Sequence, residues 1–449
     1  MLLGAAAVRL GEPDRGLRLL AQARDRAANA HPTIRSEIAL NYALAYYGLR
    51  KLDAASEELA LVTPDSDIIY ARALEYQGWI ATAQNNHKAA ATAFLAAVTH
   101  LDQCRYHDRY LEANALRALS HLAYEMLDPN LTIFVTSRVA RLDWAAQGLA
   151  EPRFWISLNE SFTLEMEGRI DEAIQATSRA EHLAQAPPIA SHGLVIEAMC
   201  RKANILAHEG EQYALRDLAQ TISTEFFGLS HAHLADDEIN VALAVAEALS
   251  QAGDALNASR ALTVYHANHQ ISPMRSLAHD ARSLAYRRFI EAQVADAAHD
   301  YATANHAYRD AFSRFHALGF RYRALQVAIR LAELTGQEYL YGYASKITKT
   351  LPRATWLRRR LELRPLPMLD DTGHQLTDNQ IAVLRLVCEG FSNPEIAVAR
   401  GRSAHTIRNV LARELFPRFG VKTRAALVSE AIRRGIYTGR RATDHATAN

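Results

Sequence analysis

The residue types with the most to offer chemically stand together on one short stretch near the carboxy end. In the run Ala404-His405-Thr406-Ile407-Arg408-Asn409-Val410-Leu411-Ala412-Arg413, helical winding puts Ile407, Val410 and Leu411 on one face and leaves Arg408, Asn409 and Arg413 outside. Arginine can donate two hydrogen bonds to O6 and N7 of guanine, and asparagine can pair with adenine in a similar way. A helix carrying both suits a major groove. Each residue taken alone is equally a solvated helix face, so the reading depends on its surroundings.

Other chemistry finds little support. Histidines such as His100, His107 and His266 are scattered, and the three cysteines, Cys104, Cys200 and Cys388, lie far apart. No Cys-x-x-Cys pair, paired-histidine motif or Gly-x-Ser-x-Gly elbow occurs, so no disulfide framework, metal site or catalytic residue is expected. No Gly-x-x-x-x-Gly-Lys-Ser/Thr run is present either, which excludes nucleotide binding of that kind. The chain is expected to be no enzyme and to carry no cofactor.

The elements that must position the polar helix are readable on either side of it. Leu376-Thr377-Asp378 offers a threonine cap to a helix carrying Ile381, Leu384, Val387 and Cys388 and closed by Gly390. A second helix starts in Ser392-Asn393-Pro394-Glu395, with proline in its first turn and Asn393 expected as its cap. Gly401 permits a sharp turn, and Ser403 caps the third helix. Charge follows the same division. Residues 346–373 carry seven Lys or Arg against three acids and residues 374–449 twelve against six. The formal +1 of the chain therefore divides into +10 after residue 345 and −9 before it. An acidic body with a basic tail directs only the tail toward a polyanion.

Taken in order, Leu376-Thr377, Val383-Leu384, Gly390-Phe391-Ser392-Asn393, Glu395-Ile396-Ala397, Ser403, Thr406-Ile407-Arg408-Asn409 and Gly420-Val421-Lys422-Thr423-Arg424 resemble the LuxR/NarL-type helix-turn-helix domain. The resemblance implies base-contacting places at Arg408, Asn409, Ala412 and Arg413. It implies phosphate-contacting places at Asn393, Thr406, Lys422 and Arg424. It further implies double-stranded DNA as partner, and a homodimer formed through a fourth helix from Arg424 to Gly435. Three departures stand out: Arg400 and Arg402 replace apolar residues, one extra residue separates Asn409 from Gly420, and Pro417 is expected to end the third helix early.

Before residue 365 the sequence reads as helix after helix. Gly11, Gly48, Asn86, Asp128, Gly168, Gly210, Gly253, Ala297 to His299 and Gly336 recur at a near-regular interval, the mark of stacked helical hairpins that bury their faces on one another. This resembles a tetratricopeptide-type array, and specifically the helical-repeat sensor region of large LuxR regulators related to the maltose-regulon activator. The expected organisation is all-α: a helical-repeat domain over 1–364 that takes a peptide, small-molecule or protein effector, a linker over 365–373, a four-helix LuxR-type domain over 374–438 and a disordered tail over 439–449. The basic run Trp356-Leu-Arg-Arg-Arg360 with Arg364 is expected to be a solvated face of the last repeat helix, the alternative being a clamp near DNA. Tyr46, Tyr47, Trp79, Phe154 and Trp155 are expected to pack between helices rather than line a concave pocket. No run of about 18 apolar residues is present, so no membrane association and a cytoplasmic location are expected. The competing reading is an interaction scaffold with weak, non-specific DNA contact.

Overall fold

Apolar stripes at helical spacing, rich in alanine, fold into helix after helix, and no strand occurs among the described residues. The computed structural model describes residues 12–144, 148–229, 236–269, 281–352, 355–363 and 377–433, with Gly4 and Ala7. The expected linker over 365–373, the tail over 439–449, Gly11, Arg364, Leu376 and Gly435 lie outside the described residues.

After α1 (Pro13–Arg26) come eight helical hairpins: α2 (Pro32–Gly48) with α3 (Leu52–Leu59), α4 (Ile68–Ala83) with α5 (His87–Leu101), α6 (Arg109–Met126) with α7 (Pro129–Val139), and α8 (Ala150–Met166) with α9 (Ile170–Gln185). They continue with α10 (His192–Glu209) and α11 (Gln212–Gly228), α12 (Asp236–Gln251) and α13 (Ala255–His269), α14 (Ala281–Ala297) and α15 (Tyr301–Leu318), and α16 (Arg321–Thr335) and α17 (Glu338–Thr348). A short helix, α18 (Trp356–Leu363), follows.

Every hairpin turn contains one residue with positive φ: Arg50, Asn85, Leu127, Gly168, Gly210, Gly253, His299 and Gly336. The recurring interval in the sequence is therefore the hairpin repeat, but small residues do not always make the turn. Asn86 and Asp128, expected in the turn itself, instead cap the second helix. The Asn86 Oδ1 accepts from the Ala89 amide at 3.1 Å, and the Asp128 Oδ1 from the Asn130 amide at 3.0 Å. Arg50, Asn85, Leu127 and His299 hold a left-handed conformation that costs roughly 1–2 kcal/mol apiece and that burial of the flanking helices must outweigh.

Helices approach closely where one partner offers little side chain. A Cβ at Gly78 on α4 would lie 2.6 Å from the Phe94 ring of α5, and Ala90, Ala173, Ala258 and Ala304 are wholly buried. From α2 to α14 the first helices of successive hairpins pack on one another and form the inner wall of the superhelix. The wall closes on itself, because α16 of the last hairpin packs against α6 of the third. At that seam Tyr124 stacks on Phe162 with centroids 4.4 Å apart, and the wholly buried Tyr322 meets both edge-on at 5.9 Å.

Residues 377–433 form a second helical unit with its own core of Val383, Leu384, Val387, Ile396, Ile407, Val410, Leu411, Leu415, Phe419, Leu427 and Ala431. Its helices are α19 (Asp378–Cys388), α20 (Asn393–Arg400), a third, α21, that runs Ala404–Asn409, Val410–Leu415 and Phe416–Arg418 without a break, and α22 (Arg424–Arg433).

Candidate functional site

The polar helix of the carboxy-terminal unit is held from both ends. Thr377 begins α19 with a reciprocal cap: its Oγ1 accepts from the Gln380 amide at 3.3 Å while its own amide donates to Gln380 Oε1 at 2.9 Å. Gln380 then reaches across, donating to Glu414 Oε2 at 2.6 Å and accepting from Arg418 at 2.7 Å, which fixes the far half of α21. At the near end Ser403 caps α21 by accepting from the Thr406 amide at 3.0 Å. The turn before it is tight: Gly401 takes φ +60°, and the Arg402 amide donates to the Ala397 carbonyl at 2.9 Å. Arg400 and Arg402 are exposed and leave this turn regular.

Pro417 does not end α21 early. The helix widens to a π turn over Val410–Leu415, in which the Phe416 amide donates to the Leu411 carbonyl five residues back, and then continues to Arg418. A π turn accommodates one more residue than an α turn does. The residue that lengthens the stretch between Asn409 and Gly420 is taken up there. The same widening relieves the clash of the proline ring with the preceding turn that a regular helix would impose.

Ile407, Val410 and Leu411 are buried as the spacing requires. Arg408, Ala412 and Arg413 are exposed, and Asn409 is half-buried beside them. Of the four residues expected at phosphates, Thr406 and Lys422 are exposed, the Thr406 hydroxyl sharing a hydrogen bond with Ser403 at 2.9 Å. The other two engage each other. Arg424 donates to Asn393 Oδ1 at 2.7 Å and also to the Phe391 carbonyl, tying α22 to the start of α20. Asn393 is accordingly not the cap of α20. Ser392 is, with its amide donating to Glu395 Oε2 at 2.6 Å. Arg400, Arg402, Arg408, Arg413 and Lys422 have no acidic partner among the described residues, so the unit presents uncompensated positive charge around the exposed helix.

The array holds a second feature that sequence reasoning missed. Inside the closed superhelix lies a cavity of about 480 Å³ lined from seven hairpins. Trp79 and Trp155 belong to its wall, whereas Phe154 is wholly buried between helices and Tyr46 and Tyr47 pack in the amino-terminal core. On α10 the cavity is met by Glu197, Arg201 and Asn204, polar residues spaced four and three apart along a face otherwise made of Ile196, Met199, Cys200 and Ala203. Charged residues inside an apolar helical stripe were the available signal.

Arg201 is 3% exposed and lies over the Phe162 ring at 3.6 Å, where it donates to Ser161 Oγ at 2.8 Å and to Glu165 Oε2 at 2.6 Å. His208 shares the other oxygen of Glu165 at 2.6 Å. Burial pushes the Glu165 carboxyl up, but Arg201 and His208 together outweigh it and hold it at about 2. Beyond His208 the chain of contacts reaches α18. Trp356 stacks on His208, Arg359 pairs with Glu209, and Arg360 pairs with Glu333 at 2.6 Å. The run Trp356 to Arg360 is thus not a wholly solvated face: its tryptophan is buried and two of its arginines pair with the array, while Arg359 stays exposed.

Asp67, His100 and Cys104 also converge, with ligand-type atoms all within 4.8 Å of one another, although no metal cluster was expected. His100 and Cys104 stand one helical turn apart, a spacing the sequence displays. The thiol donates to the His100 carbonyl at 3.4 Å, burial with Asp67 beside it pushes the thiol up to about 12, and the His100 ring packs edge-on against Tyr70 with its Nε2 buried and without a hydrogen-bond partner. No described helix is long and apolar enough to cross a membrane.

No protein-family profile matches the chain, and no curated protein matches it. Among solved structures the chain is similar to a Rap protein in complex with the competence and sporulation factor, at 13% sequence identity and a TM-score of 0.44, with 76% of this chain and 96% of that chain covered.

Proposed function

We propose that the protein is a sequence-specific, DNA-binding transcription regulator of the LuxR type, in which the helical array senses an effector and governs the carboxy-terminal helix-turn-helix. The observation that carries this reading is the exposed face of α21, where Arg408, Ala412 and Arg413 project beside Asn409 while Ile407, Val410 and Leu411 anchor the helix from behind. Arg408 and Asn409 read base edges in the major groove. Ala412 and Arg413 lie alongside them, and Thr406 and Lys422 meet the phosphates on either side. Two copies pair through α22 and read two half-sites. The reading assigns no catalytic step, cofactor or metal, and places the protein in the cytoplasm.

The test is a titration of labelled duplexes from the region upstream of the protein's own gene, read by fluorescence anisotropy against random DNA. Arg408→Ala should cost about 1–3 kcal/mol and relax preference at one base position. Affinity should fall steeply with salt while the preference over random DNA persists. Equal, weak binding to every duplex would overturn the reading in favour of an interaction scaffold.

A further inference from the structure

The wall of the cavity inside the array includes several aromatic rings, among them Trp79, Tyr124, Trp155, Phe162, Tyr286 and Phe320. Its polar groups are incompletely matched to one another. Arg323 is shared between Glu247 at 3.3 Å and Glu125 at 3.6 Å, so these charges compensate internally. Arg201 spends one Nη and its Nε on Ser161 and Glu165, while its Nη1 is buried with no hydrogen-bond partner. Asn204, nearly one turn further along α10, has its Oδ1 in the same condition. Glu197, one turn before Arg201, has neither a hydrogen-bond nor an ion-pair partner among the described residues. Burying the Arg201 and Asn204 atoms without partners costs free energy that a folded protein ordinarily avoids, and Glu197, half-buried on the same wall, stands beside them.

Along α10 these groups form a fixed order of a carboxyl, a guanidinium N–H and an amide oxygen. At 1.5 Å of rise per residue, Glu197 and Arg201 stand about 6 Å apart along the helix, and Arg201 and Asn204 about 4.5 Å. The complementary ligand offers a cation or donor, then an anion or acceptor, then an N–H.

We infer that the cavity binds a small ampholyte with an apolar or aromatic body, of the dimensions of a free-ended dipeptide, its ammonium at Glu197 and its carboxylate at the free Nη1 of Arg201. This rests on the reading of the array as a sensor and gives the effector its chemical class. The site also has an exit for the signal. An anion on Arg201 competes with Glu165 for the guanidinium, Glu165 orients His208, and His208 carries Trp356 of α18. The last described helix before the carboxy-terminal unit therefore feels whatever occupies the cavity.

The experiment uses the full-length chain without DNA, so its failure leaves the DNA-binding reading standing, and loss of DNA binding leaves it intact. The probe is an equimolar mixture of free-ended dipeptides built from leucine, phenylalanine, tyrosine and tryptophan, compared with its N-acetylated and its C-amidated counterparts by thermal shift and titration calorimetry. The free-ended mixture should raise Tm saturably, and each cap should weaken binding about ten-fold or more. Glu197→Gln, which keeps size and shape, should abolish discrimination against the N-acetylated mixture alone. The inference is overturned by no shift at millimolar free-ended dipeptide, by equal shifts from the capped mixtures, or by unchanged discrimination in the Glu197→Gln protein.

Discussion

Trp356 lies flat on His208, with ring centroids 3.6 Å apart and planes at 9°. This contact joins two parts of the chain more than a hundred residues apart, the inner helix α10 and the short helix α18. It also extends a buried chain that begins at Arg201 and Glu165. Trp356 is 4% exposed, so truncating it removes the larger part of the apolar anchor of α18 and leaves the wholly buried Leu357 with the arginine pairs to Glu209 and Glu333. Exposed or half-exposed ion pairs contribute little beside a buried indole. Trp356→Ala should cost about 3 kcal/mol locally. Hydrogen exchange of the α18 amides should quicken by roughly ten-fold or more, while α10 keeps its protection. Unchanged protection in α18 would mean that Leu357 and the arginine pairs hold it without the indole.

Glu197 makes the stability of the array depend on pH in a direction opposite to that of an ordinary paired carboxylate. Burial, with Glu247 of α12 beside it, pushes its carboxyl up to about 7. Around the same cavity stand Arg201 and Cys200 from its own helix, Arg282 from α14 and Arg323 from α16. The unfolded chain releases this proton near pH 4.3, whereas the folded chain keeps it to about 7. Stability is therefore lost as pH rises through that window and stays low above it. Glu197→Gln should be more stable than the parent by roughly 3 kcal/mol at pH 8 and no more stable at about pH 3.5, below the window, measured by urea unfolding. A difference that is the same at both pH values would show that the carboxyl does not titrate in this window.

How much of this was legible in the sequence depends on the range of the interaction. The hairpins and the carboxy-terminal helices could be read because their signals are local, such as the apolar faces of α4 and α5, the Thr377 and Ser403 caps, and Gly401 at its turn. Turn chemistry was misread by one or two residues at Arg50, Asn85 and Leu127, since burial on both sides can force a non-glycine residue into a left-handed turn. The closure of α16 on α6 was not legible at all. It brings residues more than 190 positions apart into one stack, Tyr124 against Tyr322, and no local pattern encodes that register. The cavity exists only because of that closure. Its residues thus passed as isolated charges on separate helices, and the arginines of α18 passed as solvated because their partners, Glu209 and Glu333, lie in other hairpins.

Arg424 and Lys422 stand two residues apart yet should behave differently. Lys422 is exposed with no partner among the described residues, whereas Arg424 is half-buried and bonded to Asn393 and the Phe391 carbonyl. Lys422→Ala should weaken binding to all duplexes alike and lower the slope of log affinity against log salt by about one, with thermal stability unchanged. Arg424→Ala should instead destabilise the carboxy-terminal unit by about 1–2 kcal/mol, because the Asn393 side chain and the Phe391 carbonyl lose their donor. Equal salt slopes for the two variants, with no change in Tm for Arg424→Ala, would make Arg424 a phosphate contact and not a clamp.

Pro417 offers a test of the π turn in α21. In the interior of a regular α-helix a proline removes one hydrogen bond and drives its ring into the carbonyl four residues back, at about 3 kcal/mol. Here the Phe416 amide already bonds the Leu411 carbonyl, five residues back, so the turn is widened one position before the ring. The proline then sits in the first turn of the closing segment Phe416–Arg418, where its fixed φ is compatible and its missing N–H matters little. Replacing it by alanine therefore relieves no large clash, and it returns backbone freedom to the unfolded chain, which works against stability. Pro417→Ala should change the stability of the carboxy-terminal unit by less than about 1 kcal/mol, measured by chemical denaturation followed by far-ultraviolet circular dichroism. A gain approaching 3 kcal/mol would mean that α21 is a regular helix under strain, with the extra residue taken up elsewhere.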